Sequence, residues 1–204
     1  SSDVCSSDLK CWIPTARPCR AGLCRLTIFH TEYGSMSSSV QWNAARFMWS
    51  HPAHVLAMGF GSGLSPKAPG TVGTLWAWAA YELLQWVLSP FEIGLLIALS
   101  IPVGWWTCTV TAQHMQVQDP GAIVWDEIVA FWLILWVWMP VGFGGQCVAF
   151  VLFRFFDAVK PGPVGWADSH FHGLGWRGGW GIMFDDLVAA FCTLLCISLW
   201  QATR

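Results

Sequence analysis

Five carboxylates and three cations carry the chemistry this sequence could do. The carboxylates are Asp126 and Glu127 in IVWDEIVAFW, Asp157 in FRFFDAVKPGP, and Asp185 and Asp186 in GIMFDDLVAAF. Each lies in or beside an apolar run. An unpaired carboxylate there costs several kcal/mol or takes up a proton, unless it finds a cation. The cations are Arg154 and Lys160, which share a helical face with Asp157 at i, i+3 spacing, and Lys67 in GFGSGLSPKAPGTVGTL. Hard divalent cations prefer oxygen ligands, and Mg2+ takes one or two carboxylates together with water and substrate phosphate. An arginine forks onto phosphate oxygens and a lysine adds a point charge. Together these residue types point to a phosphate held beside a metal, with one carboxylate left over to orient or deprotonate water.

Taken singly, the same residues have plainer readings. Asp157 can pair with Arg154 or Lys160 along a helix. Asp126 suits a helix start, and Arg154 and Lys160 could snorkel to an interface. The glycine-rich stretch 59–75 has the composition of an anion-binding turn, but it is not a Walker A loop, because Ala68 follows Lys67. His170 and His172 read as a polar loop pair rather than as a metal site.

The elements that must position these residues belong to a membrane protein. The chain has 204 residues, of which 55% are hydrophobic and only 11% charged, and it carries 16 Trp. Mean hydropathy is +0.50. Ordinary soluble domains are about 25% charged. A net charge of -2 excludes a large basic surface for nucleic acid. Cys5, Cys11, Cys19 and Cys24 lack the CxxC pairing of a zinc site, and Cys108, Cys147, Cys192 and Cys196 sit in apolar runs, so no disulfide framework is expected.

Residues 1–50 lack helical or strand periodicity and read as a disordered or non-native extension. Beyond them, 71–89, 91–112, 123–140, 142–160 and 178–200 are apolar segments, with a kink expected at Pro102. A bilayer core needs about 20 apolar residues per helix. The reading is an all-α, polytopic membrane helical bundle over 51–204. Up-and-down threading brings the start of the third segment (Asp126, Glu127) to the same face as the end of the fourth (Arg154, Asp157, Lys160). The first turns of the fifth (Asp185, Asp186) and the loop carrying Lys67 fall on that face too.

Four blocks, GFGSGLSPKAPGTVGTL, DPGAIVWDEIVAFW, FRFFDAVKPGP and GGWGIMFDDLVAA, occur in this order. Together they resemble the phosphatidylglycerophosphatase A family. The resemblance implies an all-helical, Mg2+-dependent lipid phosphatase of the bacterial inner membrane, multi-pass, with its active site facing the cytoplasm. Such an enzyme converts phosphatidylglycerophosphate in the bilayer to phosphatidylglycerol and phosphate. The family's acidic positions fall on Asp126, Glu127, Asp157, Asp185 and Asp186 as metal ligands, with Asp126, Asp157 and Asp186 also catalytic. Its basic positions fall on Lys67, Arg154 and Lys160, as the phosphate clamp. Three features depart from the family pattern: residues 1–50 have no counterpart in it, the loop DSHFHGLGWRGG is longer, and Ala130 stands where glycine is expected. The alternatives are a small ion-coupled transporter using intramembrane carboxylates, or a non-catalytic relative.

Overall fold

The computed structural model describes residues 44–171 and 173–203. All regular structure among them is helical. The elements are α1 (Pro52–Ala57), a 3-10 segment (Gly59–Leu64), α2 (Pro69–Leu84), α3 (Pro90–Met115), α4 (Trp125–Trp138), α5 (Phe143–Val159), α6 (Pro163–His170) and α7 (Trp176–Ala202). Several starts follow from local chemistry. Pro52, Pro69, Pro90 and Pro163 each open a helix, where a missing N–H costs nothing. At α3, Ser89 and Glu92 form a reciprocal capping box, with the Ser89 N–H donating to Glu92 Oε2 at 2.7 Å. Helix α4 stops where Met139, preceding Pro140, turns extended.

The helices coincide with the five apolar segments, but they differ in reach. Helices α3 and α7 are long and apolar enough to cross a membrane, at 26 and 27 residues. Helices α2, α4 and α5 have 16, 14 and 17 residues. At 1.5 Å per residue these are about 24, 21 and 26 Å long, short of a core about 30 Å thick. Helix α3 runs through Pro102 as one element. The aspartate pair does not lie in the first turns of the last helix, as the sequence suggested. Helix α7 begins at Trp176, so Asp185 is two and a half turns further on, about 14 Å along the axis.

The extension reading and the four N-terminal cysteines fall on residues 1–43, outside the described residues. Residues 44–48 are helical and Met48 is buried, so packed structure begins before residue 51. Helix α1 is tied down by histidines. His54 donates through Nδ1 to the Phe47 carbonyl at 3.0 Å, which leaves Nε2 to accept from His114 Nδ1 at 2.9 Å, near the end of α3.

Helix α7 packs against α3, α4, α5 and α6. It lies antiparallel to α3, and glycines set the separation. A Cβ on Gly179 would lie 2.8 Å from Thr109 Cα, and one on Gly104 would lie 2.7 Å from Met183 Sδ. Close approach through small residues is how helices pack when lipid removes the hydrophobic drive between them. The core holds Ile128, Phe131, Ile134, Leu135, Phe153 and Met183. The outside is apolar as well. Phe91, Leu95, Leu99, Val103 and Trp106 form one exposed stripe along α3, and Val151, Phe155 and Val159 another along α5.

Gly179→Leu should force α3 and α7 apart. Overpacking of this kind costs about 1–3 kcal/mol. It should be read as a lower unfolding midpoint in detergent, while a substitution of the exposed Leu99 to Ile leaves the midpoint in place.

Candidate active site

Helices α2, α4, α5, α6 and α7 bring the predicted charges together around two cations. The first is Arg154, in the penultimate turn of α5. Its Nη1 lies 2.5 Å from Asp157 Oδ2 and 3.0 Å from Glu127 Oε1 on α4. It also donates to Thr74 Oγ1 on α2 at 3.5 Å. The Thr74 hydroxyl in turn donates to the Gly70 carbonyl at 2.8 Å. Gly70 is glycine for steric reasons, since a Cβ there would collide with the Glu127 carboxylate. The glycine-rich loop thus ends with its backbone against an acid of the cluster.

The second cation is Lys160, the residue that ends α5. Its backbone is left-handed, at φ 48°, a conformation that L side chains adopt at a cost. From there Nζ reaches Asp168 Oδ1 on α6 and Asp185 Oδ2 on α7, both at 2.6 Å. Pro161 and Gly162 follow immediately and turn the chain into α6.

Glu127, Asp157 and Asp186 form the tightest group. One oxygen from each lies within 4.8 Å of the others, close enough to ligate a single ion. Asp126, Asp157, Asp185 and Asp186 are all buried. Asp126 Oδ1, Glu127 Oε2, Asp185 Oδ1 and Asp186 Oδ2 are buried without a hydrogen-bond partner. Six carboxylates, with Asp168 included, face two cations. Like charges this close cannot all ionise unaided. Orphaned, buried, hard oxygen donors are what a hard divalent cation needs, so the residues fit one. Glu127, Asp157 and Asp186 are the residues that could hold it.

The predicted residues are therefore gathered, but in three roles rather than one. Asp185 belongs to Lys160, not to the triad. Asp126 is buried beside Glu127 in the first turn of α4 and contributes no atom to the triad. Lys67 is exposed in the loop before α2 and forms no salt bridge among the described residues, so it does not join Arg154 and Lys160 in the cluster. His170 packs on Trp166 and Phe171 at the end of α6. His172 lies outside the described residues. Asp168 and Thr74 are site residues that sequence reasoning missed. Asp168 reaches Lys160 only because α6 folds back, and no spacing rule signals that.

The pattern of the phosphatidylglycerophosphatase A family matches residues 55–201. The chain is 42% identical over 155 residues to phosphatidylglycerophosphatase A of Escherichia coli (strain K12), covering 71% of this chain and 81% of that one. It is 37% identical over 147 residues to phosphatidylglycerophosphatase A of Haemophilus influenzae, covering 72% and 87%. No solved structure matches it.

Arg154→Met should leave Glu127 and Asp157 as unpaired buried charges. Breaking such a pair costs about 3 kcal/mol or more. The double variant Arg154→Met with Glu127→Gln should lose less than the single one, because one of the stranded charges is gone. Unfolding midpoints in detergent for both variants check this.

Proposed function

The chain belongs to the phosphatidylglycerophosphatase A family and is a phosphatase, and from that premise we propose that it hydrolyses phosphatidylglycerophosphate to phosphatidylglycerol and phosphate with Mg2+. The observation that carries the cation is the triad of Glu127, Asp157 and Asp186 with its unpartnered buried oxygens. Mg2+ held there would neutralise charge on the phosphate as the P–O bond breaks.

The protein's own residues do the rest. Arg154 fixes Glu127 and Asp157 relative to each other from one nitrogen. Such positioning, made before substrate arrives, is where much electrostatic catalysis comes from. Lys67, exposed and without a salt bridge among the described residues, is the cation best placed to meet an incoming phosphate oxygen. Asp126 Oδ1, buried and without a partner, would take the proton of the attacking water. Lys160 holds Asp185 and Asp168 and so closes the other side of the cluster.

The family and the apolar exterior together support a multi-pass protein of the bacterial inner membrane. Helices α3 and α7 cross, and the exposed stripes on α3 and α5 face lipid. The shorter helices complete the bundle with their charged ends toward the cytoplasmic interface. The substrate is then a phospholipid that stays in the bilayer while its head group reaches the cluster. A transporter reading draws no support, because the acids converge on one site with two cations instead of lining a path.

The test is phosphate release from phosphatidylglycerophosphate by the purified chain in detergent. Activity should need Mg2+ and vanish in EDTA. Asp186→Asn and Asp126→Asn should each lower kcat by at least about a hundredfold, above the 10–100-fold typical of residues one shell out from a metal. Release that survives EDTA, or that survives both substitutions in a folded protein, overturns the scheme.

A further inference from the structure

Two cavities meet at Phe171. One, of about 200 Å3, is polar and lies beside the cluster, with Asp119, Asp168 and Asp185 in its wall. The other, of about 300 Å3, is walled by Trp105, Phe171, Trp176 and Trp180, with Arg177 among them. The aromatic wall is braced from within. Trp105 donates through Nε1 to the Trp176 carbonyl at 2.7 Å, and its ring meets those of Trp176 and Trp180 edge-on at 5.3 and 5.4 Å. Arg177 is exposed and forms no salt bridge among the described residues.

The aromatic pocket is apolar, and Arg177 lines it with its aliphatic stem while the exposed head group stands at the mouth; an occupant apolar at one end and anionic at the other suits both. The polar cavity next door narrows the class. Its carboxylates repel a second phosphate, but they accept hydrogen bonds from a hydroxyl group. Adjacent residues of α7 connect the chambers, since Asp186 belongs to the metal triad and Asp185 lines the polar cavity. A lipid with a terminal phosphate, a glycerol and then a phosphodiester would meet the triad, the carboxylates and Arg177 in that order. We propose that the aromatic pocket between α3 and α7 is the substrate's second anchor: Arg177 takes the phosphodiester of an anionic glycerophospholipid, and Trp105, Trp176 and Trp180 take the start of its acyl chains. This deepens, and rests on, the lipid phosphatase reading.

Two measurements on the full chain in dodecyl maltoside micelles test it. The first is retention of phosphatidylglycerol against phosphatidylcholine with the same acyl chains, read by native mass spectrometry without turnover. Phosphatidylglycerol, which carries the phosphodiester but no terminal phosphate, should be retained preferentially, and Arg177→Gln should abolish the preference. The second is steady-state phosphate release. For phosphatidylglycerophosphate, Arg177→Gln should raise KM about tenfold, the size of one charge-assisted contact, with kcat changed far less. Arg177→Lys should recover part of the loss, and Trp180→Leu should raise KM as well. Because Arg177 is exposed, its variants should fold, and Trp180→Phe controls for packing at Trp180. Equal retention of the two lipids, or a KM that Arg177→Gln does not move, overturns the pocket even if the enzyme turns over normally. Preferential phosphatidylglycerol retention without any phosphate release would instead overturn the phosphatase reading and leave the anionic-lipid pocket standing.

Discussion

Everything in this bundle is arranged around an excess of buried negative charge. Six carboxylates from α4, α5, α6 and α7, four of them buried, converge where Arg154 and Lys160 are the cations paired with them among the described residues. Neither cation serves one acid alone. Arg154 is divided between Glu127 and Asp157, and Lys160 between Asp168 and Asp185. The local geometry accepts costs to keep this so. Lys160 holds a left-handed backbone, Gly70 gives up a side chain to make room for Glu127, and four carboxylate oxygens stay buried without partners. Such an arrangement is poor as a stability device, since buried ion pairs rarely outperform apolar packing. It suits the receptacle for a cation and a phosphate that the proposed hydrolysis requires.

The helices that hold this cluster have an apolar interior and an apolar exterior, so burial alone does not tell them which way to face. Tryptophan supplies part of the answer. Four indole N–H groups donate to backbone carbonyls of other elements: Trp105 to Trp176, Trp125 to Ser100, Trp132 to Ala77 and Trp136 to Pro90. Each is directional, and each joins a pair of helices at a fixed height. The high tryptophan content therefore does more than mark interfaces with water. It gives the bundle a set of polar links that cost nothing in hydropathy.

How much of this was legible in the sequence depends on the range of the interaction. The Arg154–Asp157 pair is a helix-spacing inference and holds at 2.5 Å. The convergence of Glu127, Asp157 and Asp186 follows from antiparallel threading of apolar segments, which fixes the face though not the distances. What failed depended on chain path. Asp168 reaches Lys160 through a short helix that hydropathy does not announce. The lengths of α2, α4 and α5 were overestimated because apolar residues continue past the last hydrogen-bonded turn, as at Met139 before Pro140.

The adjacency of Asp185 and Asp186 has a consequence for α7 as a whole. Successive helical positions point about 100° apart. One of these side chains is tied to Lys160 and the polar chamber, while the other faces Glu127 and Asp157. The helix is thus a partition wall with a different fitting on each side, and its rotation about its own axis is a functional coordinate. The glycine contacts at Thr109 and Phe171 act as the pin that sets that angle, since neither Gly179 nor Gly181 leaves room for a Cβ there. A single inserted residue between Gly181 and Asp185 would leave composition, hydropathy and helicity almost unchanged, yet it would turn both carboxylates away from their chambers at once.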